Sequence, residues 1–92
     1  MIPKKQYLLR FFIEQQVIET YLEPTFYHMD DCLKRHWVIG AKARIDIVTV
    51  KEKGKDFPLI KTYGYIESYD QAEILGFLYK YHQWFLDNRR ME

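Results

Sequence analysis

The chain has one cysteine, no long apolar run and almost no net charge, and each shortage excludes something. Cys32 alone rules out an internal disulfide, and reduced-thiol usage of this kind points to a cytoplasmic setting. No apolar stretch approaches the roughly 20 residues that cross a bilayer as a helix, so no membrane partner is expected. The start, Met1 to Lys5, is basic, and Tyr7 to Ile13 is apolar but interrupted by Arg10. No small-residue cleavage site follows, so a signal peptide is not expected. A net charge of +1 excludes a strongly acidic mimic of nucleic acid. Nucleophile elbow, P-loop, Gly-rich dinucleotide turn and H-E-x-x-H pattern are all missing, so no enzyme, catalytic residue or cofactor is expected.

What is present fits one domain spanning 1–92. Hydrophobic residues make up 48% and charged residues 29%, which are globular values. A chain of this length buries about 60–65% of its unfolded surface, enough for a single core. Aromatic residues reach 17%, including 8 Tyr, more than a small core holds, so some are expected at contact surfaces. Charge is distributed unevenly. Residues 11–31 carry five carboxylates and no Lys or Arg, a local charge of −5, whereas residues 34–61 carry a local charge of +5.

Residues 68–87 read as one long helix. Glu73, Gly76, Lys80, Gln83 and Asp87 fall on one seam at about 3.6 residues per turn, and most of the remainder is apolar. Ser68 reads as its N-cap, with Gln71 three residues on. A first helix is predicted from Lys4 to about Leu22, on stripes formed by Tyr7, Phe11, Ile18, Leu22 and by Leu9, Ile13, Val17, Tyr21, and ended by Pro24. Thr25 to Met29 reads as a short edge strand. Ala41 to Val50 alternates as a strand, with Val48 and Val50 out of phase, which marks a bulge or a covered strand end. A charged turn at 51–56 then leads to a partner strand from Leu59 to Glu67. The predicted fold class is α+β: a small antiparallel sheet, a hairpin plus a third strand, with N- and C-terminal helices on one face.

Several constellations compete with ordinary structural roles. If Ala43, Ile45 and Ile47 face the helices, then Lys42, Arg44, Lys61, Tyr63 and Tyr65 share the opposite face. Rings among cations suit a protein contact, and they also suit stacked bases with neutralised phosphates. The same residues also stabilise a plain solvated sheet. Lys53 and Lys55, in the basic turn, suit phosphate or simple solubility. His28, Cys32 and His36 are metal-ligand types four apart, but a shared face would need a helix there, and no metal site is assigned. Gly76 costs about 1 kcal/mol against alanine in a helix, which suggests close approach of another chain, including a second copy.

The order helix, three strands, helix, with Ser68 opening the last helix and Ala72 four residues on, resembles the layout of a double-stranded RNA-binding domain. That family places lysines where this chain has Tyr69 and Asp70, and Glu73 adds a carboxylate, so its function is not carried over. The expected function is a small non-enzymatic protein-binding domain (adaptor, regulator or inhibitor) working through the outer hairpin face. The alternative is single-stranded nucleic-acid binding on that face.

Overall fold

A computed structural model describes residues 5–53 and 57–89, with side chains described over 5–49, 62–84 and 86. The elements are β1 (Lys5–Ile13), β2 (Gln16–Glu23), α1 (Phe26–Arg35), β3 (Lys42–Lys53), β4 (Phe57–Ser68) and α2 (Gln71–Arg89). They form a four-stranded antiparallel sheet in the order β2-β1-β3-β4, with two helices, so the class is α+β. The molecule is a slab of 40 × 35 × 19 Å. Among the described residues no helix is long and apolar enough to cross a membrane.

The first departure from the sequence reading is at the start. Residues predicted as an N-terminal helix form the β1–β2 hairpin instead. Tyr7, Leu9 and Phe11 alternate with Leu8, Arg10 and Phe12, and Tyr7, Leu9 and Phe11 are buried. The spacing of 4 between Tyr7 and Phe11 satisfies a helix turn and two strand repeats equally, so period alone could not decide. The hairpin turns on Glu14 and Gln15, both at positive φ (51° and 69°). Two consecutive left-handed residues are the two-residue turn that matches strand twist, a place where Asn-Gly is the usual signal.

The second departure comes after Pro24. Thr25 to Met29 is the start of helix α1, not an edge strand: the Thr25 side chain accepts from the His28 backbone N–H at 3.1 Å, a regular N-cap. With the first helix replaced by a hairpin and the strand by a helix, the topology shared with double-stranded RNA-binding domains disappears.

The core forms from one parity of the sheet. Tyr7, Leu9 and Phe11 pair with Ile47, Ile45 and Ala43, and all six are buried. Met29, Cys32 and Leu33 of α1 and Ile74 and Leu78 of α2 join the same cluster. Fully burying Ile74 and Leu78 contributes about 1.5–3 kcal/mol each. Gly64 of β4 lies under α2: a Cβ there would make ordinary van der Waals contact, 3.6 Å from the Tyr81 ring and 3.9 Å from the Phe77 ring. The start of α2 also differs from expectation. Its cap is Asp70, whose Oδ1 accepts from the Ala72 N–H at 2.9 Å, while Ser68 Oγ accepts from the Asp70 N–H and donates to Glu73. Gln71 is thereby released to donate to the Leu33 carbonyl at 2.9 Å, tying α2 to the end of α1.

Because Glu14 and Gln15 hold a conformation costing about 1–2 kcal/mol per non-glycine residue, the double substitution Glu14→Asn/Gln15→Gly is expected to stabilise the protein by about 1 kcal/mol. Urea denaturation reads this directly. An unchanged or lowered midpoint would contradict the strained-turn account.

Candidate functional site

The parity opposite the core gives the sheet a second face. In register across β2, β1, β3 and β4, its central rows are Leu22–Leu8–Asp46–Tyr65 and Thr20–Arg10–Arg44–Glu67, with Val17–Phe12–Lys42 beyond them. Among the described residues no helix packs on this face, since both helices bury their apolar side chains in the cluster on the other.

Asp46 organises the face. It is only 1% exposed, and its carboxylate lies between two guanidinium groups. Arg44 donates to it through Nε at 2.9 Å and Nη2 at 3.1 Å, and Arg10 donates through Nη2 at 3.2 Å. Arg44 also donates through Nη1 to Glu67 at 3.0 Å, and Lys42 reaches the other Glu67 oxygen at 3.2 Å. The result is one continuous chain, Arg10–Asp46–Arg44–Glu67–Lys42, in which cations and carboxylates alternate. Donating hydrogen bonds to the Asp46 carboxylate pushes the Arg44 pKa up, with Glu67 adding to it. Hydrogen bonds from Lys42 and then Arg44 hold the Glu67 carboxyl below its ordinary value.

Rings frame the cations. The Arg44 guanidinium lies 4.0 Å from the Tyr65 ring centre, and Arg10 and Lys42 each lie 5.7 Å from that of Phe12. Arg10 Nε is buried without a hydrogen-bond partner. Leu22, Val17 and Tyr65 are exposed, so ionic, aromatic and aliphatic groups meet on one surface.

The structure thus brings Lys42, Arg44 and Tyr65 together as expected from sequence, and separates the rest. A register shift between Ile47 and Val48 leaves Tyr63 as an extra residue on β4. Val48 next pairs with Thr62, so the simple alternation Lys61, Tyr63, Tyr65 does not hold. Tyr63 stands instead with Tyr81 and Trp84 of α2 around the Lys5 ammonium, 4.9, 5.7 and 5.2 Å from the three ring centres. The Lys61 backbone pairs with Thr49; the side chains of Lys61 and Lys53, and all of Lys55, lie outside the described residues. Gly76 is exposed on α2, and a Cβ there would meet nothing within 4 Å. Sequence reasoning missed Arg10 and Phe12, because a helix was assigned to the strand that carries them. Their alternation with Tyr7, Leu9 and Phe11 was the available signal.

The other constellations disperse. His28 and Cys32 do share α1, with His36 as its C-cap. Their side chains are otherwise engaged: His28 Nδ1 lies 2.6 Å from Thr25 Oγ1, and His36 stacks on Tyr21 at 5.0 Å. Burial, with Glu23 next, pushes the Cys32 thiol up to about 11, so it is a poor nucleophile. Among the described residues no three His, Cys, Asp or Glu are grouped to hold a metal ion.

No protein-family model, curated protein or solved structure matches this chain.

Removing the organising carboxylate leaves two guanidinium groups facing each other. Asp46→Ala is expected to destabilise by about 2–3 kcal/mol, somewhat below the cost for a fully buried pair because both arginines reach solvent. Chemical denaturation measures it, and a loss under about 0.5 kcal/mol would remove Asp46 from this role. For Glu67 the depressed pKa means that its contribution is present above the ordinary carboxylate value and is lost as pH falls through its lowered one. Glu67→Gln is therefore expected to be less stable than wild type at neutral pH and to converge with it in acid, once the pH has fallen below the lowered Glu67 value. A difference that persisted unchanged in acid would contradict the ion-pair account.

Proposed function

We propose that the protein is a non-enzymatic binding domain, an adaptor, regulator or inhibitor, that takes a protein partner on the open face of its sheet. The observation that carries this reading is the network around Asp46. It presents Arg44 and Arg10 in fixed orientations beside Tyr65 and Phe12, with aliphatic Leu22 and Val17 at the margin. Arg and aromatic anchors within an apolar margin are the composition of protein-binding surfaces. Fixing the anchors in advance also lowers the ordering cost of association. The single buried thiol is compatible with a cytoplasmic setting for such a domain.

Single-stranded nucleic acid is the second reading, and one observation favours it. The Asp46 side chain is 2% exposed against 30% for Arg10 and 26% for Arg44, so its compensating charge lies beneath the cations. Guanidinium and ring are what a phosphate and a base would meet. Against it, Glu67 reaches the same surface, and the three cations are offset by two carboxylates. For a homodimer at Gly76, support is limited to a small exposed residue with open space around it.

The test uses Arg44→Ala/Tyr65→Ala, two substitutions at partly or fully exposed positions. A protein recovered in pull-downs with wild type and lost with the double variant is the expected result; equal recovery would overturn the open-face reading. Fluorescence anisotropy with labelled single-stranded and duplex oligonucleotides separates the alternatives, since phosphate contacts are strongest at low salt. Tight low-salt binding to single strands, abolished by the same variant, would replace protein with nucleic acid.

A further inference from the structure

Strand β2 ends the sheet, and among the described residues no strand lies beyond it. An unpaired edge is a template for another strand, and proteins usually blunt such edges with lysine or proline. Residues 16–23 contain neither, nor any arginine. One partial obstacle is present: Ile18 is an extra residue where the register shifts, leaving Thr20 to Glu23 as the regular part of the edge.

The two sides of this edge differ in chemistry. On the open side Val17 and Leu22 are exposed, at 48% and 47%. On the helix side, Glu19, Tyr21 and Glu23 share one parity, pairing with Phe11, Leu9 and Tyr7 of the core face. Among the described residues neither Glu19 nor Glu23 is in an ion pair; Glu19 accepts from the Tyr21 hydroxyl at 2.7 Å. Of the five carboxylates in residues 11–31, Asp30 and Asp31 are paired with Lys34 and Arg35 at 3.0 Å, which leaves Glu19 and Glu23 as the uncompensated charges along the open edge.

A second copy of this chain fits that edge poorly. Pairing β2 with itself would set Glu19 and Glu23 against the same two residues, with no cation on either strand to offset them. An incoming strand with cations at alternate positions fits both sides, because its intervening residues then continue the apolar strip.

We propose that the free edge of β2 accepts an extended segment of a partner protein as a fifth strand, one that alternates Lys or Arg on the helix side with aliphatic residues on the open side. Backbone hydrogen bonds supply affinity, and Glu19 and Glu23 select the charge of the guest. The edge site goes beyond the open-face reading and stands on β2 alone.

A fluorescein-labelled eight-residue peptide alternating lysine and valine is the probe, read by anisotropy and by the β2 backbone amide signals in NMR. It is expected to bind and to shift the amides of residues 19–23. The same peptide with glutamate for lysine is expected not to bind. A fully backbone N-methylated version keeps the charge but cannot donate to the edge, and its affinity is expected to fall at least about tenfold. Glu19→Gln/Glu23→Gln, at surface positions, is expected to weaken the lysine–valine peptide by up to about tenfold, the value of two exposed ion pairs. Absence of binding by the lysine–valine peptide, or equal binding by its N-methylated form, would overturn the proposal. The amides of Arg44 and Tyr65 are expected not to shift with the peptide; shifts there in place of those at residues 19–23 would assign the peptide to the open face and overturn the edge site while sparing the open-face reading.

Discussion

The open face depends on a carboxylate that has been taken out of water. Asp46 is almost fully buried on a sheet face that, among the described residues, no helix covers, a position that an unpaired charge could not hold without a cost of several kcal/mol. Two arginines from adjacent strands relieve that cost, and in doing so lose their own freedom. Once Arg44 grips Asp46 by both Nε and Nη2, its remaining amine is aimed at Glu67 and its plane lies over Tyr65. Cross-strand registry is what brings Arg10 opposite Arg44, a like-charge pair that would be unfavourable without the carboxylate between them. The arrangement of the open face is thus a consequence of satisfying one buried group.

Much of the fold was legible where local chemistry and period agreed. The β3–β4 pairing follows from the alternation of Ala43, Ile45 and Ile47 with Lys42, Arg44 and Asp46, and α2 follows from its long apolar circumference. The first hairpin was illegible for a definite reason. Its turn uses Glu14 and Gln15 in a backbone conformation that sequence normally announces with Asn or Gly, and its strands carry apolar groups on both faces. Thr25 misled in the opposite direction: the strand-forming residues after it join a helix because the Thr25 hydroxyl satisfies that helix's first turn. Tertiary packing then outweighs propensity, with Met29, Cys32 and Leu33 buried by the sheet.

The candidate site was half legible for the same reasons. Lys42, Arg44 and Tyr65 lie on the regular part of the hairpin, where alternation is sufficient to assign a face. Tyr63 sits at the register shift, and a one-residue slip reverses the facing of the neighbouring strand residues. Val48, buried where alternation called for an exposed residue, marked the disturbance in β3 but not the residue displaced by it in β4. Arg10 and Phe12 were lost with the misread strand, although they complete the network that the hairpin begins.

The charges on the open face and along the β2 edge are arranged differently, and on the proposed readings that bears on how such a small slab would recognise a partner. On the proposed readings, a molecule 19 Å thick would carry its recognition chemistry on a surface and an edge. On the face, Arg10, Arg44 and Lys42 alternate with Asp46 and Glu67, so the local net charge is small and specificity lies in the positions of the groups. Along β2 the opposite holds: Glu19 and Glu23 are not offset by any cation of their own strand, and at the proposed edge site the charge itself would discriminate. Electrostatic selection of that kind acts mainly on encounter and on rejection of wrong partners, while backbone pairing along the edge is indifferent to sequence. The proposed face, weakly charged and geometrically fixed, and the proposed edge, charged and geometrically permissive, would therefore be complementary means of discrimination. The hairpin that hides its turn behind Glu14 and Gln15 contributes to both, since β1 supplies Arg10 to one and β2 is the other.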